Sequence, residues 1–144
     1  MSKRKILFLC SANGSRSQMA AGWAKHIHPE HFAVHSAGLM ERGKIDLLAA
    51  KVMAEAGVDI SRQQLVLFEE LTNKDFDLVV TLCGHAGEHC ELFTGHTRRL
   101  HFGFDDPAKL AKMENKKEAL LFYRRVRDEI RSFIAVLPDF FDLR

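Results

Sequence analysis

Lys5-Ile6-Leu7-Phe8-Leu9-Cys10-Ser11-Ala12-Asn13-Gly14-Ser15-Arg16-Ser17 is the stretch whose reading decides the fold. From Lys5 to Cys10 it is a short, uninterrupted apolar run with the character of a strand buried on both faces. Small residues and a glycine follow at once. After Asn13 and Gly14 the pattern turns helical, with Met19, Trp23 and Ile27 four residues apart, until His28-Pro29 closes the segment. The stretch therefore predicts a central strand, a tight loop and the head of a helix.

Working outward, His31 to Ser36 alternates well enough for a second strand, Gly38 and Gly43 mark a turn, and Asp46 to Ala56 repeats apolar residues at helical intervals before Gly57 supplies a C-cap. Phe76 to Leu82 reads as a third buried strand and Leu100 to Phe102 as a short fourth. Phe122, Val126, Ile130, Phe133 and Leu137 then lay an apolar stripe along a long final helix. Strands alternating with helices imply an α/β fold with a parallel sheet, and right-handed crossovers favour a small doubly wound one. Ligand chemistry in such sheets gathers at the carboxyl ends of the strands, where Cys10 and Cys83 fall. No repeat, low-complexity segment or proline-rich linker interrupts the chain, so residues 1–144 are expected to form one domain. Trp23 and the phenylalanines at helical spacing are read as core.

The loop itself has a definite chemistry. Ser11, Ala12, Asn13, Gly14 and Ser15 are small, so successive backbone N–H groups can turn inward. The helix N-terminus adds partial positive charge, which shapes the loop to wrap a tetrahedral oxyanion. Asn13-Gly14 suits tight bends. Arg16 can grip two oxyanion oxygens with its planar fork, and the same field favours the thiolate of Cys10. Ser17 is placed to steady that thiolate by a hydrogen bond. A nucleophile facing a bound anion also needs an acid to protonate the departing oxygen. Gly103-Phe104-Asp105-Asp106-Pro107 follows the fourth strand, and Asp106 is the candidate because Pro107 stiffens the backbone beside it.

Composition excludes other classes. Lysine and arginine number 21 against 19 aspartates and glutamates, and the densest basic cluster, Arg124, Arg125 and Arg127, lies next to Asp128 and Glu129, so no dedicated nucleic-acid or membrane surface is expected. No apolar run approaches a bilayer span and no export signal is read. Three cysteines do not make a disulfide framework, and a reducing cytoplasm fits them better.

The Cys10-to-Arg16 loop with Ser17 behind it, and Asp105-Asp106-Pro107 far downstream, resembles the low-molecular-weight protein tyrosine phosphatases. Ser17-Gln18-Met19-Ala20, Gly22-Trp23-Ala24-Lys25, Ser36-Ala37-Gly38, Asp77-Leu78-Val79-Val80-Thr81-Leu82-Cys83-Gly84 and Gly103-Phe104-Asp105-Asp106-Pro107-Ala108 look more closely like the thioredoxin-coupled arsenate reductases of that fold. The resemblance runs to Arg125-Val126-Arg127-Asp128-Glu129-Ile130. It implies a single-domain four-stranded parallel sheet flanked by helices. It also implies Cys10 as nucleophile, Arg16 as oxyanion binder, Ser17 as thiolate stabiliser, Asp106 as general acid, and Cys83 and Cys90 as a redox pair. Arsenate is then the substrate and thioredoxin the source of electrons, with glutaredoxin a possible substitute, and no cofactor or metal is bound. Two positions depart from relatives. Ser15 stands where some carry a further cysteine, and Ala21 where many carry a glutamate, so the potassium site of some members is not carried over.

Two other readings compete. Ester hydrolysis needs only the loop, the arginine and the acid, which would make the chain a tyrosine phosphatase; Cys83 and Cys90 would then be idle, and Ala108 stands where such phosphatases commonly offer an aromatic residue. A zinc module would use Cys83, His85, His89 and Cys90, but four ligands within eight residues are cramped for a metal that usually draws on two separated pairs.

Overall fold

The computed structural model describes residues 3–12, 14–73, 75–82, 98–108 and 115–139. Among these, four strands form one wholly parallel sheet: β1 (Arg4–Ala12), β2 (Phe32–Glu41), β3 (Leu78–Thr81) and β4 (Arg98–His101), in the order β2-β1-β3-β4. Three helices accompany them: α1 (Ser15–Ile27), α2 (Leu47–Glu55) and α3 (Lys116–Ala135). None of the described helices is long and apolar enough to cross a membrane.

β1 and β3 are the inner strands, and both are apolar enough to lie between two strands and beneath both faces. Ile6, Leu7, Phe8 and Leu9 are fully buried. Ile6 and Phe8 join Leu78 and Val80 beneath Met19 and Trp23 of α1, Val52 and Met53 of α2, and Val126, Ile130 and Phe133 of α3. Leu7 and Leu9 face the other way, with Ala37, Phe76 and Val79. Gly22 is where α1 comes closest to its neighbours: a Cβ there would stand 2.5 Å from the Ile60 side chain, so only glycine permits this packing.

Helix ends follow local chemistry. Asp46 caps α2, its Oδ1 accepting from the N–H groups of Leu48 and Ala49, and Asn115 caps α3 through the N–H of Glu118. Gly57, at φ +85°, takes the left-handed turn after α2. Trp23 Nε1 donates to the Arg127 carbonyl and His28 Nε2 to that of Ile134, fastening α1 to α3 at two levels.

The predicted elements occur in the predicted order, with different edges. β2 runs on to Glu41 rather than ending at Ser36, and Gly38 pairs with Cys10 inside the strand instead of turning the chain; the turn belongs to Gly43 at φ +76°. β3 is shorter than Phe76–Leu82, and β4 begins at Arg98. On α3, Phe122 is half-buried while its neighbour Tyr123 is buried. Phe102, expected at the end of β4, lies just past it and is 42% exposed.

Candidate active site

Cys10 lies near the carboxyl end of β1, where strict alternation would put its side chain on the helix face with Ile6 and Phe8. Its sulfur meets Ser17 of α1, it also belongs to the buried cluster of Leu7 and Leu9, and just beyond it the pairing with β2 slips, from Cys10↔Gly38 to Ala12↔Glu41. The thiol is buried, and its sulfur stands 3.2 Å from Ser17 Oγ.

Ser17 is fully buried in the first turn of α1, and its hydroxyl also donates to the Gly14 carbonyl at 3.2 Å. The hydroxyl has one proton. With Cys10 as a thiol, the sulfur donates to Ser17 Oγ and Ser17 donates to Gly14; once the sulfur is ionised, the same proton can swing to it. Gly14 is the N-cap residue of α1, extended at φ −100° and ψ −155° rather than in a positive-φ bend. It has no side chain to cap the helix, unlike Asp46 and Asn115, and the first turn of α1 carries no acid. Positive helix-end charge is therefore left facing the carboxyl end of β1. Ser15 is buried at the helix start; Ser11 and Ala12 continue the β1 backbone; Asn13 lies outside the described residues.

Arg16 reaches across the sheet edge. Its Nη1 donates to the Phe104 carbonyl at 3.3 Å and its Nη2 stands 3.5 Å from Asp106 Oδ2, with the two side chains only 14% and 21% exposed. The other oxygen of Asp106 accepts from the Ala108 N–H at 3.1 Å. Asp105 points elsewhere: it pairs with Arg125 of α3 at 2.9 Å in an exposed ion pair. Of the two adjacent acids, only Asp106 meets the arginine of the loop.

Cys10, Arg16, Ser17 and Asp106 thus gather at the carboxyl end of the sheet. Cys83 and Cys90 lie outside the described residues, as do His85 and His89 of the zinc reading, and among the described residues no three His, Cys, Asp or Glu side chains gather into a metal site. Sequence reasoning missed the Phe104 carbonyl, Gln18, Asp46 and Tyr123. Gln18, next to Ser17, is fully buried and ties α1 to residues 44–46. A polar residue on the inner side of an otherwise apolar helix start was the available signal.

The model of the low molecular weight phosphotyrosine protein phosphatase family matches residues 5–138. An arsenate reductase of Bacillus licheniformis is 47% identical over 130 residues, covering 90% of this chain and 91% of that protein. A solved arsenate reductase in the intermediate state superposes with a TM-score of 0.73 at 30% identity, over 93% of this chain and 95% of the other. A thioredoxin-dependent arsenate reductase of Corynebacterium glutamicum shares the fold at 24% identity and a TM-score of 0.72, over 98% of this chain and 63% of the other. The buried thiol at a strand end, the glycine-headed helix behind it and the arginine turned to a distant aspartate are thus found in a chain that belongs to the low molecular weight phosphotyrosine protein phosphatase family.

Proposed function

We infer that this chain is an arsenate reductase, and that Cys10, Arg16, Ser17, Cys83, Cys90 and Asp106 carry the reaction. The observation that carries the reading is the buried Cys10 thiol, 3.2 Å from Ser17 Oγ at the uncapped head of α1, in a chain 47% identical to an arsenate reductase.

Arsenate has the shape and charge of phosphate, so the loop Ser11 to Ser15 and the guanidinium of Arg16 suit it. The Cys10 thiolate attacks arsenic, and Asp106 gives its proton to the oxygen that leaves as water. A thiolate at Cys83 then attacks the Cys10 sulfur. The electron pair of the sulfur–arsenic bond passes to arsenic, arsenate(V) becomes arsenite(III), and a Cys10–Cys83 disulfide remains. Cys90 attacks Cys83, freeing Cys10, and the Cys83–Cys90 disulfide takes two electrons from thioredoxin. No bound cofactor enters these steps, and a reducing cytoplasm is the compartment that suits them. The thioredoxin-dependent relative from Corynebacterium glutamicum supports the choice of reductant.

Ester hydrolysis is the second reading, favoured by the family and by a loop, arginine and acid that suffice for it. One pair of assays separates the two: arsenate-dependent NADPH oxidation with thioredoxin and its reductase, and hydrolysis of an aryl phosphate. The proposal expects Cys83→Ser to end the first and spare the second. Arsenate reduction undiminished in Cys83→Ser overturns the relay, and no arsenate reduction by the unaltered chain overturns the function.

A further inference from the structure

We propose that Tyr123 is a positioning residue for the anion site: by holding Asp46 it clamps Gln18, and with Gln18 the first turn of α1 that bears Arg16 and Ser17. The inference rests on the reading of Cys10 to Ser17 as the oxyanion loop.

Gln18 is fully buried, so both ends of its amide need partners. Nε2 donates to the Lys44 carbonyl at 2.7 Å, and Oε1 accepts the Asp46 N–H at 3.2 Å. The head of α1 is therefore joined to residues 44–46, between β2 and α2. Asp46 is itself held on both carboxylate oxygens. Oδ1 accepts from Leu48 and Ala49 at the start of α2, and Oδ2 accepts from the Tyr123 hydroxyl at 2.7 Å. The ring of Tyr123 is anchored in the core of α3. Three separate pieces of chain thus meet in one continuous set of hydrogen bonds that ends beside Ser17.

A phenylalanine would fill the same core position; only the hydroxyl reaches Asp46. That hydroxyl stays protonated at every working pH, because burial, then the hydrogen bond to Asp46, then the charges of Asp46 and Asp106 push its ionisation far above the ordinary tyrosine range. It is a permanent donor to a carboxylate, the stronger kind of hydrogen bond. Groups that bind a reacting anion must be held to within about half an ångström, so a helix start free to rock weakens both binding and turnover.

Tyr123→Phe, which keeps the ring in the core, is expected to bind inorganic phosphate about tenfold more weakly, the equivalent of one charge-assisted hydrogen bond. Binding is measured by titration calorimetry well below the melting temperature. Gln18→Met cuts the same chain from its other end and should give a similar loss, and the double variant should lose little more than either single one. Arg124→Ala, which removes the exposed α3 pair with Glu55, should leave the phosphate affinity unchanged. Wild-type affinity in folded Tyr123→Phe or Gln18→Met, or losses that add in full, overturns the proposal. Arg16→Ala separates the two levels: if it abolishes phosphate binding while Tyr123→Phe does not move it, the clamp alone is wrong; if it binds normally, the loop reading fails first.

Discussion

Arg16 Nη2 stands 3.5 Å from Asp106 Oδ2, joining residues 90 positions apart, and Arg16 Nη1 fixes the same guanidinium to the Phe104 carbonyl at 3.3 Å. The arginine is thus oriented from the acid's own loop. A guanidinium has five N–H donors in a planar fork, so these two contacts leave others for an oxyanion. The arrangement couples the binding of charge to the placement of the acid, and the first two predictions separate these roles.

Arg16→Lys keeps the charge and loses the fork. Lysine offers a compact ammonium with no fixed pair of donors, so it can satisfy neither the Phe104 carbonyl and Asp106 together nor two oxygens of one oxyanion. Arsenate reduction is expected to fall on the order of 10²-fold, and to become undetectable in Arg16→Ala, while circular dichroism stays native. Turnover in Arg16→Lys within a factor of two of wild type removes bidentate recognition from the account.

Asp106→Asn and Asp105→Asn should diverge. The first keeps a side chain that can still accept from the Ala108 N–H but has no acidic proton, so phosphate binding survives while the rate drops on the order of 10²–10⁴-fold. The second removes only an exposed pair with Arg125, a contact of roughly 0–1 kcal/mol, and should change turnover little. Equal losses in the two variants, measured in the thioredoxin-coupled assay, show that the acid has been misassigned.

Ser17→Ala removes the hydroxyl 3.2 Å from the Cys10 sulfur and leaves no side-chain donor in its place. A hydrogen bond to a charged group contributes roughly 1.5–3 kcal/mol, so alkylation of Cys10 at neutral pH should slow by about tenfold or more. Alkylation of the reduced protein, followed by mass spectrometry at Cys10, measures this directly. An unchanged rate means that the head of α1 holds the thiolate without the serine.

Features that depend on neighbours along the chain were legible before the fold was known. The apolar run at Lys5–Cys10 and the four-residue spacing of Met19, Trp23 and Ile27 identify β1 and α1 because burial on both faces, or on one stripe, leaves a local pattern. The extension of β2 to Glu41 has no such pattern: it arises from pairing with β1 at Cys10↔Gly38 and Ala12↔Glu41, where a ladder overrides the glycine. Tyr123 escaped for the same reason. An apolar stripe drawn through Phe122 ignores a hydroxyl whose partner, Asp46, lies 77 residues away. At the site, Cys10, Arg16 and Ser17 share one loop and helix head and were legible together, and Pro107 singled out Asp106; the pairing of Asp105 with Arg125 of α3, 20 residues on, left no local pattern.

The relay is tested most sharply by Cys90→Ser. If Cys83 attacks Cys10 and Cys90 only then attacks Cys83, removing Cys90 leaves every step up to arsenite release intact. The variant should therefore make one arsenite per enzyme in a single burst and stop, trapped as a Cys10–Cys83 disulfide that peptide mapping can identify. Cys83→Ser should release no arsenite in the same experiment, since the thiolate that attacks the Cys10 sulfur and sends the sulfur–arsenic electron pair to arsenic is gone. Continuous turnover by Cys90→Ser with thioredoxin as the only reductant contradicts the relay, because thioredoxin would then be resolving the Cys10–Cys83 disulfide itself.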